Sequence, residues 1–352
     1  MNVPSEDSLR IGLFRLDLLI SRNVPEACTY VKGILTKGSV SIPVTEETLT
    51  ISERFVGSVG ECLLIEKRKY LGFPYIVWKK PMPRLNDRIL FIVVYLYPSK
   101  DDAERGTKVG GTGFIARLRT QEGWHDYVIT NRHNVDGQSF PAASWVRINT
   151  HDKKKPVDCF EGDWSWSETD DIAACELPFH RAYYKYDHID TVFFLTEDQV
   201  SDLRVGLGDD LFMVGRFINH DGTEKNIPVV RFGTIAMMPQ EPIIADGKPQ
   251  ESFLIEIRTI PGFSGSPVFI RMEAESRYKD QQFKPNLTDK QMLDNWGHLE
   301  KLLGIEWCRV KGETAIAPLI NGSTFDIQVP TGMSGCIPAW RILDFLKTIE
   351  TR

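Results

Sequence analysis

From residue 88 onward the sequence is a succession of short apolar, β-branched and aromatic runs separated by Gly, Pro, Asn and Asp. So many short runs with turn residues between them favour an all-β sandwich or barrel over an alternating βαβ sheet. The predicted strands are residues 89–97, 113–119, 127–130, 172–177, 210–217, 228–237, 253–257, 268–270, 303–310 and 325–329.

Other segments depart from this β pattern. Residues 337–347 have a proline near their start and apolar residues at Trp340, Leu343 and Leu346, which predicts a C-terminal amphipathic helix. Residues 272–298 are mostly polar and predict a surface insertion, to which we assign residues 271–300. Closely spaced prolines near residue 82 predict a connector. The chain therefore divides into an N-terminal extension of unknown role, 1–84, and a domain over 85–352.

The turn between the predicted strands 253–257 and 268–270 reads Gly262-Phe263-Ser264-Gly265-Ser266-Pro267. Its glycines let the backbone turn sharply and expose the Ser264 hydroxyl. The same turn can direct the amides of Gly262 and Ser264 at one point, as an oxyanion hole requires.

Two upstream residues complete a candidate catalytic set. His133 follows a predicted strand in Thr-Asn-Arg-His, and Asp171 immediately precedes the apolar run 172–177. The order His, Asp, Ser is one of the known orders of such triads. The alternatives are a loop histidine with an ordinary hydrogen bond, an exposed loop carboxylate, and Asp170 as the acid instead of Asp171.

These three motifs resemble those of the trypsin-like (chymotrypsin-fold) serine peptidases, and their pattern is most similar to that of the compact bacterial members. The segments 109–115, 205–215 and 304–307 add to the resemblance, which extends over roughly residues 86–350. It implies two Greek-key β-barrels, a C-terminal helix and a triad in the cleft between the barrels. Ser264 would be the nucleophile, His133 the base and Asp171 the orienting acid.

The resemblance also implies substrate contacts. Glu306 and Trp307 lie in a segment similar to the strand that pairs with bound peptide. Arg258 stands six residues before Ser264, where the floor of the specificity pocket is often found. It would either favour an acidic substrate side chain or be an exposed strand residue beside Glu256.

Two further features bear on activation and on the choice of nucleophile. Phe263 occupies the place of an aspartate that zymogen-type trypsins use, so activation by the matching N-terminal cleavage is not expected. A second Gly-x-Ser-Gly at 332–335 lacks the Ser-Pro continuation, which makes Ser334 structural or substrate-lining.

Composition and charge limit the possible ligands and the cellular location of the protein. A net charge of −6 with a pI near 5.7 gives no support for nucleic-acid binding. The longest apolar run, 89–97, is too short to cross a bilayer, and no secretory signal precedes it. We therefore expect a cytoplasmic protein whose six cysteines are free thiols, with no metal and no cofactor.

The sequence therefore predicts an intracellular serine endopeptidase that cleaves proteins or peptides through an acyl-enzyme intermediate. A catalytically silent trypsin-fold module that binds peptides or is regulated by a partner is the alternative, and an esterase is a weaker one. Residues 1–84 and 272–298 either dock a regulatory protein partner or are passive surface.

Overall fold

The computed structural model describes residues 85–350 apart from gaps at 109, 139–140, 179–181, 219–221, 223, 246, 274–281, 297 and 319–323. Before residue 85 it describes seven strands. The chain divides into two compact units, Met1–Leu85 and Asn86–Arg352. Within the described ranges no helix is long and apolar enough to cross a membrane.

The first unit consists of antiparallel strands. Five of them form a sheet in the order β1-β2-β3-β6-β7, and β4 pairs with β5 separately. The strands are β1 (Leu9–Ile11), β2 (Phe14–Leu19), β3 (Tyr30–Gly33), β4 (Val40–Val44), β5 (Glu47–Ile51), β6 (Leu63–Tyr70) and β7 (Phe73–Lys79).

The second unit begins with an open, half-barrel sheet. Its order is β12-β11-β8-β9-β10-β14-β13, with β15 parallel to β9. The strands are β8 (Val93–Tyr97), β9 (Thr112–Arg119), β10 (Trp124–Thr130), β11 (Trp145–Asn149), β12 (Val157–Glu161), β13 (Ser165–Trp166), β14 (Ala173–Glu176) and β15 (Ile189–Asp190). A 3₁₀ helix (Asp87–Ile92) precedes β8, α1 (Lys100–Arg105) follows it, and α2 (Arg132–Val135) follows β10. Residues 89–92 are therefore helical, because the Asn86 side chain caps the Arg88 amide.

The second half of the unit is a closed barrel in the order β16-β17-β20-β23-β22-β21. Its strands are β16 (Asp210–Gly215), β17 (Val229–Met237), β20 (Phe253–Glu256), β21 (Pro267–Glu273), β22 (His298–Pro318) and β23 (Thr324–Pro338). Between β17 and β20 in sequence, β18 (Ile243–Ala245) and β19 (Lys248–Gln250) form a separate hairpin. Before β16 come a 3₁₀ helix (Thr191–Phe193) and α3 (Glu197–Asp202); α4 (Leu287–Trp296) and α5 (Ala339–Glu350) complete the helices described.

This arrangement is an all-β, chymotrypsin-like fold, as the sequence predicted. Alternate residues of the barrel strands, such as Leu211 and Met213 in β16, point into one buried apolar core. A second core fills the half-barrel around Val94, Ile115 and Val128. The C-terminal helix α5 begins directly after Pro338 and buries Ala339, Ile342, Phe345 and Leu346.

The segment between β21 and β22 differs from the expected surface insertion at both ends. Met272 pairs with Leu299 across the two strands, so residues 271–273 and 298–300 belong to the barrel. The helix α4 packs onto it: Asp289 Oδ1 lies 3.1 Å from Lys301 Nζ, and both side chains are almost fully buried. A mainly polar helix is therefore tied to the barrel by a buried ion pair.

Candidate active site

A cleft separates the half-barrel from the closed barrel, and His133, Asp171 and Ser264 all line it. Two of these positions follow from strand pairing. The end of β10 lies against the start of β14, with Thr130 opposite Ala173. The residues just beyond that pair are therefore neighbours, which brings α2 with His133 beside the turn that carries Asp171.

His133 and Asp171 are joined by two hydrogen bonds. His133 Nδ1 lies 2.6 Å from Asp171 Oδ2, and the His133 amide donates to Asp171 Oδ1 at 2.9 Å. Burial by itself would lower the pKa of His133, but the hydrogen bond and charge of Asp171 outweigh it, with smaller contributions from Glu306 and Asp136. The pKa of His133 is therefore raised.

Asp170, the alternative acid, points elsewhere. Its carboxylate receives two hydrogen bonds from the Arg341 guanidinium in α5, the shorter at 2.8 Å, and one from Gln250 Nε2 at 2.9 Å. Burial raises the pKa of Asp170, but these hydrogen bonds outweigh it and the net pKa is lowered. The geometry thus brings Asp171, and not Asp170, to His133.

The loop with Ser264 is held by its backbone. The Ser264 carbonyl accepts from the Thr112 amide at 2.9 Å and from Asn134 Nδ2 at 3.1 Å. Gly265 has φ +93°, and a Cβ there would lie 1.9 Å from the Thr112 carbonyl oxygen. Only glycine therefore allows the loop to approach β9 this closely. The loop is positioned against both halves of the unit.

The backbone of this loop leaves two amides available. The Gly262 carbonyl is turned towards Thr112, whose hydroxyl donates to it at 2.6 Å, and Gly262 has φ +93°. Among the residues described, neither the Gly262 amide nor the Ser264 amide donates a hydrogen bond to a protein atom. These amides are the donors that the sequence assigned to an oxyanion hole.

The Ser264 hydroxyl and the His133 imidazole face the same cleft, but no hydrogen bond joins them in the part of the chain described. Catalytic hydrogen bonds of this kind are often long in the unliganded state and tighten when substrate binds. The histidine–aspartate contact is thus formed and the serine–histidine contact is not.

Glu306 is buried beside the cleft, with 1% of its surface exposed. Its Oε1 lies 2.5 Å from Ser334 Oγ, and the same hydroxyl lies 2.6 Å from the Cys308 carbonyl. A hydroxyl has one hydrogen, so Ser334 can donate to only one of these oxygens. If it donates to Cys308, the short contact with Glu306 requires the carboxyl group to donate, and Glu306 must carry a proton.

Burial acts on Glu306 in the same direction. It raises the pKa of this carboxyl group to about 7, against the opposing effects of the Ser334 hydrogen bond, His133 and Arg309. Its second oxygen, Oε2, is buried without a hydrogen-bond partner. An unpaired oxygen costs less on a neutral acid than on a carboxylate, which agrees with the proton count.

The other two residues assigned to substrate binding differ in exposure. Trp307 borders the cleft, but its side chain is almost buried and its indole Nε1 donates to Ser252 Oγ at 2.9 Å. Arg258 is exposed at the cleft, just past the end of β20, and its carbonyl accepts from Arg231 Nη1 at 2.8 Å. Arg258 is therefore available to a ligand, whereas the indole nitrogen of Trp307 is already committed.

Several residues that hold the site were not found from the sequence. Gln250 Oε1 accepts from the Asp171 amide at 2.9 Å, and Asn131 Nδ2 donates to the Asp171 carbonyl at 2.9 Å. Thr112 and Asn134 hold the serine loop. Asn131 and Asn134 flank His133 in sequence and could have been suspected, but nothing local marks Gln250.

Among the described residues no group of three or more His, Cys, Asp or Glu is placed to hold a metal ion. Cys159, Cys175 and Cys336 are free thiols, and Cys28 and Cys62 lie outside the described residues.

The closed barrel, the half-barrel and the cleft between them are the fold of the trypsin-like serine peptidases. No protein-family model and no curated protein sequence matches the chain. Among solved structures, the chain is similar to the MamO protease domain from Magnetospirillum magneticum, at 16% identity and a TM-score of 0.42, over 74% of this chain and 98% of that one.

Two more structures were similar. One is an inactive form of Rv3671c from M. tuberculosis, at 14% identity and a TM-score of 0.35, over 77% of this chain and 97% of that one. The other is the scabies mite inactivated protease paralogue S-I1, at 14% identity and a TM-score of 0.40, over 75% of this chain and 96% of that one. The fold assignment itself rests on the strand order given above.

Proposed function

We propose that the protein is a serine endopeptidase. The observation that carries the proposal is the pair of hydrogen bonds between His133 and Asp171, in one cleft with Ser264. A carboxylate on Nδ1 fixes the imidazole so that Nε2 is left to accept a proton. A loop histidine with no task in catalysis has no need of this partner.

In this mechanism Ser264 Oγ attacks the scissile carbonyl carbon while His133 Nε2 takes its proton. The tetrahedral oxyanion accepts hydrogen bonds from the amides of Gly262 and Ser264. His133 then gives the proton to the leaving amine, which departs and leaves an acyl-enzyme on Ser264. Water, deprotonated by His133, hydrolyses that ester, and Asp171 stabilises the imidazolium in both steps.

Active-site labelling with a fluorophosphonate tests this proposal, together with hydrolysis of a fluorogenic peptide library. We expect wild type to be labelled on Ser264, and Ser264→Ala to lose at least about 10⁴-fold in kcat. Ser201→Ala, an exposed serine on α3, is the matched control and should behave as wild type. Peptide hydrolysis that survives in Ser264→Ala would refute the choice of nucleophile.

The missing Ser264–His133 hydrogen bond favours one other function, a trypsin-fold module that binds peptide without cleaving it. Peptide binding without labelling of Ser264 would identify that module. Labelling with hydrolysis of esters but not of peptides would identify an esterase.

The setting and control of the enzyme are part of the proposal. The free thiols Cys159, Cys175 and Cys336 support a reducing, intracellular compartment, which fractionation of the native host tests. A regulatory protein partner would act through residues 1–84 or 272–298. Two variants test this role: one lacks residues 1–84, and the other has a short turn in place of the segment between β21 and β22. The fluorophosphonate labelling rate of each is measured with and without cell lysate. Unchanged rates in both variants would contradict regulation through these segments.

A further inference from the structure

Three of the four arginines that line the cleft come from the closed barrel: Arg231 in β17, Arg258 just past the end of β20 and Arg309 in β22. None of them forms an ion pair with a carboxylate among the described residues, and Arg258 and Arg309 are exposed. We call these three residues the arginine cluster. Unpaired guanidinium groups in a concave site are candidates for binding an anion.

Arg231 is the most constrained member of the arginine cluster. Its guanidinium lies over the ring of Phe263, the residue next to Ser264, with the central carbon 4.8 Å from the ring centre. Its Nη1 donates to the Arg258 carbonyl, and its Nε is buried without a hydrogen-bond partner. A donor thus remains unused close to the serine loop.

The cluster is electrostatically uncompensated. Burial lowers the pKa of Arg231, and the charge of Arg258 lowers it further. Two cations that disfavour each other are stabilised by an anion between or beside them. A bound carboxylate could accept charge-assisted hydrogen bonds from both guanidinium groups.

The carboxyl groups nearby do not supply this anion. Glu306 is buried, and its Oε1 already contacts the Ser334 hydroxyl. Asp171 is committed to His133, and Asp170 to Arg341. Glu256 is exposed in β20 and forms no ion pair with the arginine cluster. Among the described residues no carboxylate pairs with the arginine cluster, so a ligand can supply the counter-ion.

We infer that the arginine cluster selects peptides with an acidic side chain, aspartate or glutamate, on the residue whose carbonyl Ser264 attacks. The inference rests on the proposed function and adds a substrate class to it. The side chain of that residue lies next to the serine loop, which is where Arg231 and Arg258 border the cleft.

A set of fluorogenic peptides that differ only in that residue tests the inference. We expect wild type to cleave the Glu peptide with kcat/KM at least about tenfold above the Gln peptide, since a charge-assisted hydrogen bond is worth this much. The Glu:Gln ratio should fall towards one in Arg258→Gln and in Arg231→Gln. In Arg258→Glu a Lys peptide should be cleaved faster than the Glu peptide.

Arg119→Gln is the matched control, because this exposed arginine lies against Trp124 outside the cleft. Its Glu:Gln ratio should equal that of wild type. Fluorophosphonate labelling of the same preparations distinguishes failure of the acidic-substrate inference from failure of the proposed peptidase function. Labelled enzyme with a Glu:Gln ratio near one, or with a ratio unchanged in both Arg258→Gln and Arg231→Gln, overturns the inference and leaves the proposed function standing. Absence of both labelling and hydrolysis overturns the two together.

Discussion

Replacing Glu306 by glutamine perturbs the buried carboxyl group with almost no change of shape. If Glu306 is protonated, its O–H donates to Ser334 Oγ, and Ser334 donates to the Cys308 carbonyl. The glutamine Nε2–H₂ group can donate to Ser334 in the same way. The hydrogen-bonded chain then survives and only the ionisable group is lost.

The magnitude follows from the pKa of Glu306, which burial raises from 4.5 to about 7. Each pKa unit corresponds to about 1.4 kcal/mol, so the shift amounts to about 3 kcal/mol. Between these two values the folded protein keeps a proton that the unfolded chain has lost. The free energy of unfolding of wild type therefore falls as pH rises through this window. Glutamine has no such dependence.

Urea unfolding followed by tryptophan fluorescence measures this effect. The stability of Glu306→Gln relative to wild type should rise by about 3 kcal/mol between pH 4.5 and pH 8. Glu122→Gln, at an exposed turn, is the control and should stay within about 0.5 kcal/mol at both pH values. A difference between Glu306→Gln and wild type that does not change with pH would show that the pKa of Glu306 is not raised in the folded protein.

Two further predictions concern the geometry of the site. The rate of fluorophosphonate labelling of wild type should rise with pH through a midpoint above about 6.5, because a carboxylate on Nδ1 stabilises the protonated imidazole of His133. Asp171→Asn should lower this midpoint, and Asp170→Asn should leave it in place. An unchanged midpoint in Asp171→Asn would contradict the assignment of Asp171 as the orienting acid. Gly265→Ala should cost at least about 2 kcal/mol of stability and reduce the labelling rate at least about 100-fold, because its Cβ would overlap a backbone oxygen of β9. Gly206→Ala is the control, because the space around Gly206 is open, and it should change neither stability nor labelling rate. Labelling of Gly265→Ala at the wild-type rate would refute the close approach of the serine loop to β9.

The sequence by itself determined the class of fold and the identity of the candidate triad. Short apolar runs with turn residues between them are local signals, since they set backbone preference and the face that each strand buries. The glycines around Ser264 and the strand before His133 are local in the same sense. The predicted boundaries of strands and of the insertion were less accurate where helix capping or strand pairing decided the structure. Examples are residues 89–92, which are helical, and both ends of the segment 272–298, which pair as strands.

Only the tertiary structure decided which aspartate contacts His133. Asp170 and Asp171 are adjacent and chemically identical, and the pairing of β10 with β14, with Gln250 and Arg341 arriving from distant parts of the chain, separates their roles. The charge state of Glu306 depends in the same way on burial and on the one hydrogen of Ser334. Desolvation and long-range hydrogen bonds are properties of the assembled core, and no local pattern of residues carries them.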